Sequence, residues 1–254
     1  MATPQEITML HRLHPLTKLS AAFLLIIASY LVAWLPLLLL IFGFLLLLGQ
    51  VSGVGRPLFN AVLRVVLPVT FSLFLLQGIL FPPVDATPLP VGPITLTYEG
   101  LEFAFVISSR LLVLTTTVLL LLQTTHPADL VNALTQRGLP RSIGYVLLVS
   151  LQIVPDMSAR ATAILEAQRS RGLETQGGLR RVRAIVPLVG PLVVGALLDV
   201  EERAMAIESR AYTTSGPKTI LRQLADTPIQ RAARLMLLLT IVGLIIWRLA
   251  GFWF

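Results

Sequence analysis

The sequence predicts an all-α integral membrane protein. It should have about five transmembrane helices and, before the last of them, long amphipathic helices on the cytoplasmic side or at the interface. Three observations lead there. Of 254 residues, 55% are hydrophobic and only 13% charged, against about 25% charged in a soluble domain. Uncharged apolar runs reach membrane length. The charge that exists is concentrated, since residues 125–231 hold 13 of the 20 Lys and Arg and 9 of the 13 acids. The chain thus divides into a membrane domain with four transmembrane helices (1–124), a charged cytoplasmic domain (125–231) and a final transmembrane helix (232–254).

The first apolar run, Leu19 to Val51, carries no charge and is too long for one span of about 20 residues. Trp34 followed by Pro36 marks an interfacial turn between two short helices. A second helix directly behind the first argues against a cleaved signal peptide. A polar link, "GQVSGVGRPLFNAVLR", leads to a third span over about Val65 to Phe81, with a bend expected at Pro68. The segment 82–100 is Pro-rich and has acids but no Lys or Arg, so it reads as an outer loop. The fourth span covers about Leu101 to Leu122 and the last about Leu235 to Trp253. Arg12, Lys18, Arg56, Arg64 and the 125–231 block all flank one side. The positive-inside rule places that side, with the N-terminus, in the cytoplasm of a multi-pass cell-membrane protein.

Within the charged block, "HPADLVNALTQRGLP" reads as a short amphipathic helix, with Pro127 in its first turn and Gly138 as its stop. Residues 142–171 join an apolar half to a charged half as one long helix. A bend is expected near Pro155, and Gly172 ends the helix. The segment 179–212 repeats the design. A basic start leads to an apolar stretch broken by Pro187 and Pro191, then a charged helix ends at Arg210. The stretch 184–198 reads as interfacial or protein-buried rather than as a sixth span.

The two long helices end alike, in "EAQRSRG" at 166–172 and "AIESRA" at 206–211. Both read Ala-x-x-Ser-Arg and then a small residue, with Arg171 and Arg210 spaced 39 positions apart. One arginine in a last turn is explained by the helix dipole, worth ~0.3–1 kcal/mol when exposed. Two copies with the same small neighbours suggest more. Small residues let a helix tip enter a groove, where the planar guanidinium meets a carboxylate or carbonyl. Two such tips suggest a dimeric partner with two equivalent grooves.

These features together resemble the transmembrane T component of energy-coupling factor (ECF) transporters, the CbiQ-like family. "LHPLTKL" at 13–19 is similar to that family's Leu-Asp-Pro-x-Thr-Lys-Leu, with His14 in place of Asp. "SSRLLVLTTTVLLLLQTTHPADLVNAL" at 108–134 resembles its fourth span and the Thr-Thr-x-Pro-x-Asp-Leu that follows. The two arginine endings resemble its Ala-Arg-Gly-type motifs, the second departing with Ser209 for Ala and Ala211 for Gly. The resemblance implies a non-catalytic subunit without a cofactor. It implies that Ala167, Ser170, Arg171, Gly172, Ala206, Ser209, Arg210 and Ala211 contact two ABC-type ATPase subunits. It also implies a separate small membrane S component that binds a vitamin or metal ion.

The residues agree independently. No G-x-x-x-x-G-K-[ST] occurs, so no P-loop is expected. The histidines, His11, His14 and His126, have no second ligand at metal spacing. There is no cysteine. A nucleic-acid partner is not expected, because the net charge of +7 sits beside apolar runs. Arg110, in or near the fourth span, is either a structural lock or S-component contact, or a side chain snorkelling outward beside Glu99 and Glu102. Two other readings stand beside this one. "EAQRSRG" also fits the coupling loop of an ordinary ABC importer permease, though the second motif and the long interfacial helices weigh against it. A membrane enzyme would need a paired carboxylate, Ser/His or His/Glu constellation in its spans, and none is found.

Overall fold

The computed structural model describes residues 13–32, 34–77, 88–89, 96–172, 186–211, 214, 216 and 226–251. Arg12, most of the 82–100 loop, the basic stretch 179–183 and the aromatic end 252–254 lie outside the described residues. The chain is an all-α, multi-span membrane protein. Its helices are α1 (Pro15–Leu31), α2 (Leu35–Val51), α3 (Gly55–Leu75), α4 (Tyr98–Thr124), α5 (Pro127–Gln136), α6 (Arg141–Ser170), α7 (Val186–Ser209) and α8 (Pro228–Ala250). An antiparallel ribbon of two residues per strand, β1 (Pro88–Leu89) with β2 (Leu96–Thr97), is the sole sheet described. Four described helices, α3, α4, α6 and α8, are long and apolar enough to cross a membrane. The apolar α1 and α2 have 17 residues each, at the short end of what a span uses.

The chain forms two compact units, residues 1–138 with 224–254, and residues 139–223. In the first, α4 is the central helix and packs on α1, α2 and α3, while α8 and α5 pack on α1. Its core is Leu45, Val54, Leu58, Val62, Val66, Val113 and Leu120. The buried face of α4 is mostly small: Gly100, Ala104, Ser108, Ser109, Thr116, Thr117 and Thr124. Small residues let membrane helices approach closely. The threonine hydroxyls cost little there, since Thr116, Thr117 and Thr124 donate to carbonyls four residues back at 2.6–2.7 Å.

α1 ends and α2 begins around Trp34, as the Trp-Pro pattern predicts. The third helix differs from expectation. It starts at Gly55, not near Val65, because the segment read as a polar link is helical. Gly55, Leu58, Val62 and Val66 form its buried stripe, whereas Arg56, Asn60 and Arg64 are exposed on another face. The polar residues that suggested a link are one side of an amphipathic helix.

In the second unit, α6 and α7 pack on each other. Pro155 stays inside α6. Pro191 does not break the apolar stretch either. α7 runs through it, since the carbonyl that Pro191 leaves without a donor is that of Pro187, in the first turn.

Candidate functional site: two arginine-tipped helices

The two repeated endings are helix tips with matching backbone geometry. Arg171 is the C-cap of α6. Its N–H bonds the Gln168 carbonyl at 3.1 Å, and Gly172, at φ 88°, bonds Arg169 at 2.9 Å. A left-handed residue after the last turn is the common helix stop, normally glycine. In α7 that place falls to Ala211, at φ 55°, the one described non-glycine residue with positive φ. Its N–H bonds the Glu208 carbonyl at 2.9 Å, and its own carbonyl accepts from the Thr214 hydroxyl at 2.7 Å. The departure from glycine therefore leaves the conformation unchanged. Ser170 and Ser209 fold back onto the Glu166 and Ala206 carbonyls, at 3.1 Å each. That leaves Arg171 and Arg210 as the outward groups. Both are exposed, and neither has an ion-pair partner among the described residues.

Two salt bridges set how α6 and α7 lie together. Arg160 bonds Asp199 at 2.9 Å, and Arg203 reaches Asp156 at 3.8 Å. As numbers rise along one helix they fall along the other, so the pair is antiparallel. Arg160 and Asp199 are also 39 positions apart, the spacing of the two arginine endings. They occupy the same place in the two copies, eleven residues before Arg171 and Arg210 respectively. The helices thus meet at equivalent points, and each tip lies ~16 Å along its own helix from there. Gly195 makes room for this contact, since a Cβ would stand 2.6 Å from Arg160 Nη1. Half-exposed pairs like these are worth ~0–1 kcal/mol, so their effect is on register more than on stability.

The sequence matches the CbiQ family, described as cobalt transport protein, over residues 6–220. The chain belongs to the CbiQ family. The energy-coupling factor transporter transmembrane protein EcfT of Heliobacterium modesticaldum is 31% identical over 235 residues, 84% of this chain and 84% of the relative. EcfT of Exiguobacterium sibiricum is 30% identical over 254 residues, 95% of each chain. EcfT of Thermosediminibacter oceani is 28% identical over 261 residues, 95% of this chain and 94% of the relative. Membership makes the chain a T-component scaffold of energy-coupling factor type and a non-catalytic membrane subunit.

The other motifs of this CbiQ-family chain turn out to fasten helix ends. His14 is the N-cap of α1, its Nδ1 accepting from the Leu16 N–H at 3.3 Å. His126 repeats the device on α5 with the Ala128 N–H, also at 3.3 Å. Lys18 Nζ donates to the Thr124 carbonyl at the end of α4, at 2.7 Å. Arg110 is half-buried. Its Nη2 donates to the Tyr30 carbonyl in the last turn of α1 at 3.4 Å, and the guanidinium lies 5.7 Å from the Tyr30 ring.

Sequence reasoning missed one cluster of the CbiQ-family chain. Arg234, 8% exposed inside the first part of α8, donates from Nη2 to both carboxylate oxygens of Asp226, at 2.8 and 2.7 Å. It also meets His14 Nδ1 at 3.2 Å and Thr17 Oγ1 at 3.4 Å. Arg137 adds 2.7 Å and Arg231 3.3 Å to Asp226. The Arg234 and Arg137 hydrogen bonds outweigh burial and hold the Asp226 carboxyl down at about 2. Burial lowers the His14 pKa, helped by Arg234 and Arg137 and opposed by Asp226. The arginines at the start of α8, Arg231 and Arg234, beside its apolar run were the available signal, the same kind that singled out Arg110. The span that the sequence predicts, from about Leu235, begins one residue after Arg234, whereas the helix starts at Pro228.

Proposed function

We propose that this chain is the coupling subunit of an ATP-driven uptake transporter of the energy-coupling factor type, in which Arg171 and Arg210 seat on two ABC-type ATPase subunits. The membrane helices would hold a small S component, which binds the transported vitamin or metal ion. ATP hydrolysis occurs on the partners, and this chain transmits their motion. The observation that carries the reading is the pairing of the tips. Two exposed arginines with the same small neighbours and the same left-handed stop stand equally far from a contact between equivalent positions. That is the arrangement needed to meet two equivalent grooves at once. The N-terminus and residues 125–231 are placed in the cytoplasm on the Lys and Arg asymmetry. Arg110 acts here as a lock between α4 and the end of α1, since cations favour helix C-termini.

Loss of a groove-buried arginine contact costs ~2 kcal/mol or more, whereas an exposed helix-end arginine is worth ~0.3–1 kcal/mol. Arg171→Ala and Arg210→Ala should each reduce capture of the ATPase subunits, and the double variant should nearly abolish it. Lysine at either position should rescue poorly, because an ammonium lacks the planar fork. Capture and transport at wild-type levels in both alanine variants would reduce the tips to helix caps.

A further inference from the structure

α3 carries a polar stripe apart from the two arginine tips. Arg56, Asn60 and Arg64 stand four residues apart on one face, and all three are exposed. Neither arginine has an ion-pair partner among the described residues. Pro68 continues the row inside the helix. It has no N–H to give the Arg64 carbonyl, so that carbonyl lacks its ladder partner. On a helix of membrane-crossing length, such polar groups are costly against hydrocarbon and need a polar neighbour.

Directly beside the stripe is an apolar trough. A cavity of about 420 Å³ lies between α2, α3 and α4. Its α3 wall includes Phe59, Leu63 and Leu67, and Leu39 and Phe105 face them. Each of those α3 residues is three positions after a member of the stripe, hence its surface neighbour on the helix. A half-open apolar trough with a cationic edge fits an amphiphile carrying an anionic head.

We propose that this groove seats a phospholipid with an anionic headgroup, the headgroup held at the cationic edge that Arg56 and Arg64 form and an acyl chain against Phe59, Leu63 and Leu67. Guanidinium forks bind phosphate oxygens in pairs. Helical side chains lean toward the helix N-terminus, so Arg64 snorkels toward the end of α3 where Arg56 sits. That end faces the cytoplasmic leaflet if the topology proposed above holds; the site itself does not require it.

The test is native mass spectrometry of the purified full chain, stripped of lipid and titrated with phosphatidylglycerol or with phosphatidylcholine of the same acyl chains. No ATPase is present, so the result does not depend on the coupling reading. Wild type should prefer phosphatidylglycerol. Arg56→Gln or Arg64→Gln should weaken its binding roughly fivefold each, and the pair about thirtyfold, with phosphatidylcholine little changed. Leu63→Trp, at a position already 47% exposed, should weaken both lipids by filling the trough. No preference in wild type, or unchanged phosphatidylglycerol binding in the double arginine variant, overturns the headgroup site. Unchanged binding in Leu63→Trp overturns the acyl seat. A photoreactive residue at Leu67 in native membranes should form a lipid adduct. An adduct with a protein instead would assign the groove to a partner helix and overturn the proposal.

Discussion

Asp226 and His14 respond to pH in ways that follow from their neighbours. The Asp226 carboxyl sits at about 2 in the folded chain against an ordinary 3.8. A depressed carboxylate contributes stability that is full above the unfolded value and is lost as pH falls from about 4 toward 2. His14 is also depressed, from 6.5, so its contribution is full above that value and fades as pH drops below it, where the unfolded chain takes the proton first. The geometry agrees, since Nδ1 can accept from Leu16 only when it carries no proton. Thermal unfolding of the detergent-solubilised chain should therefore show a midpoint that falls between pH 7 and pH 5. His14→Asn, which keeps a cap acceptor but cannot titrate, should flatten that slope. Asp226→Asn should cost about 2–3 kcal/mol at neutral pH, somewhat under the ~3–5 kcal/mol of a fully buried pair. A flat profile in wild type would show that His14 does not report on folding.

The ends of α6 and α7 are the elements on which substitutions should act in opposite directions. The left-handed conformation costs a residue with a Cβ roughly 1–2 kcal/mol, while glycine gives up ~0.5–1 kcal/mol in chain entropy. Ala211→Gly should therefore stabilise the tip of α7 by ~0.5–1 kcal/mol, and Gly172→Ala should destabilise that of α6 by a similar amount. Amide hydrogen exchange in the last turn of each helix measures this directly. Slower exchange in Gly172→Ala would contradict the matching of the two stops.

At the scale of the whole molecule, the absence of cysteine makes a topology test clean. Single cysteines in place of Asp85 and Gln176 should label from opposite faces of the membrane. Labelling of both from one face would sink the proposed orientation. The helix order, the Trp34 turn and the stops at Gly138 and Gly172 were legible because each rests on local chemistry, whether apolar run length, proline or glycine. The start of α3 was not, since Arg56, Asn60 and Arg64 read as a break until the buried stripe of Gly55, Leu58, Val62 and Val66 is placed against its neighbours. The Arg234 cluster was hidden for another reason. His14 and Arg234 are 220 positions apart, and no local pattern announces such a partner. The tips themselves were visible as a repeat, but not the antiparallel pairing that makes Arg160 and Asp199 meet.

That pairing has a mechanical consequence. Arms of equal length on either side of a shared contact form a balanced lever. If two identical loads close on the tips, their torques about the Arg160–Asp199 fulcrum are matched. The pair then scissors rather than slides, and the angle between the helices becomes the output signal. A load on one tip alone would instead drag the whole pair sideways. Under the coupling proposed above, transport should therefore fail when only one arm is engaged, even with the other intact.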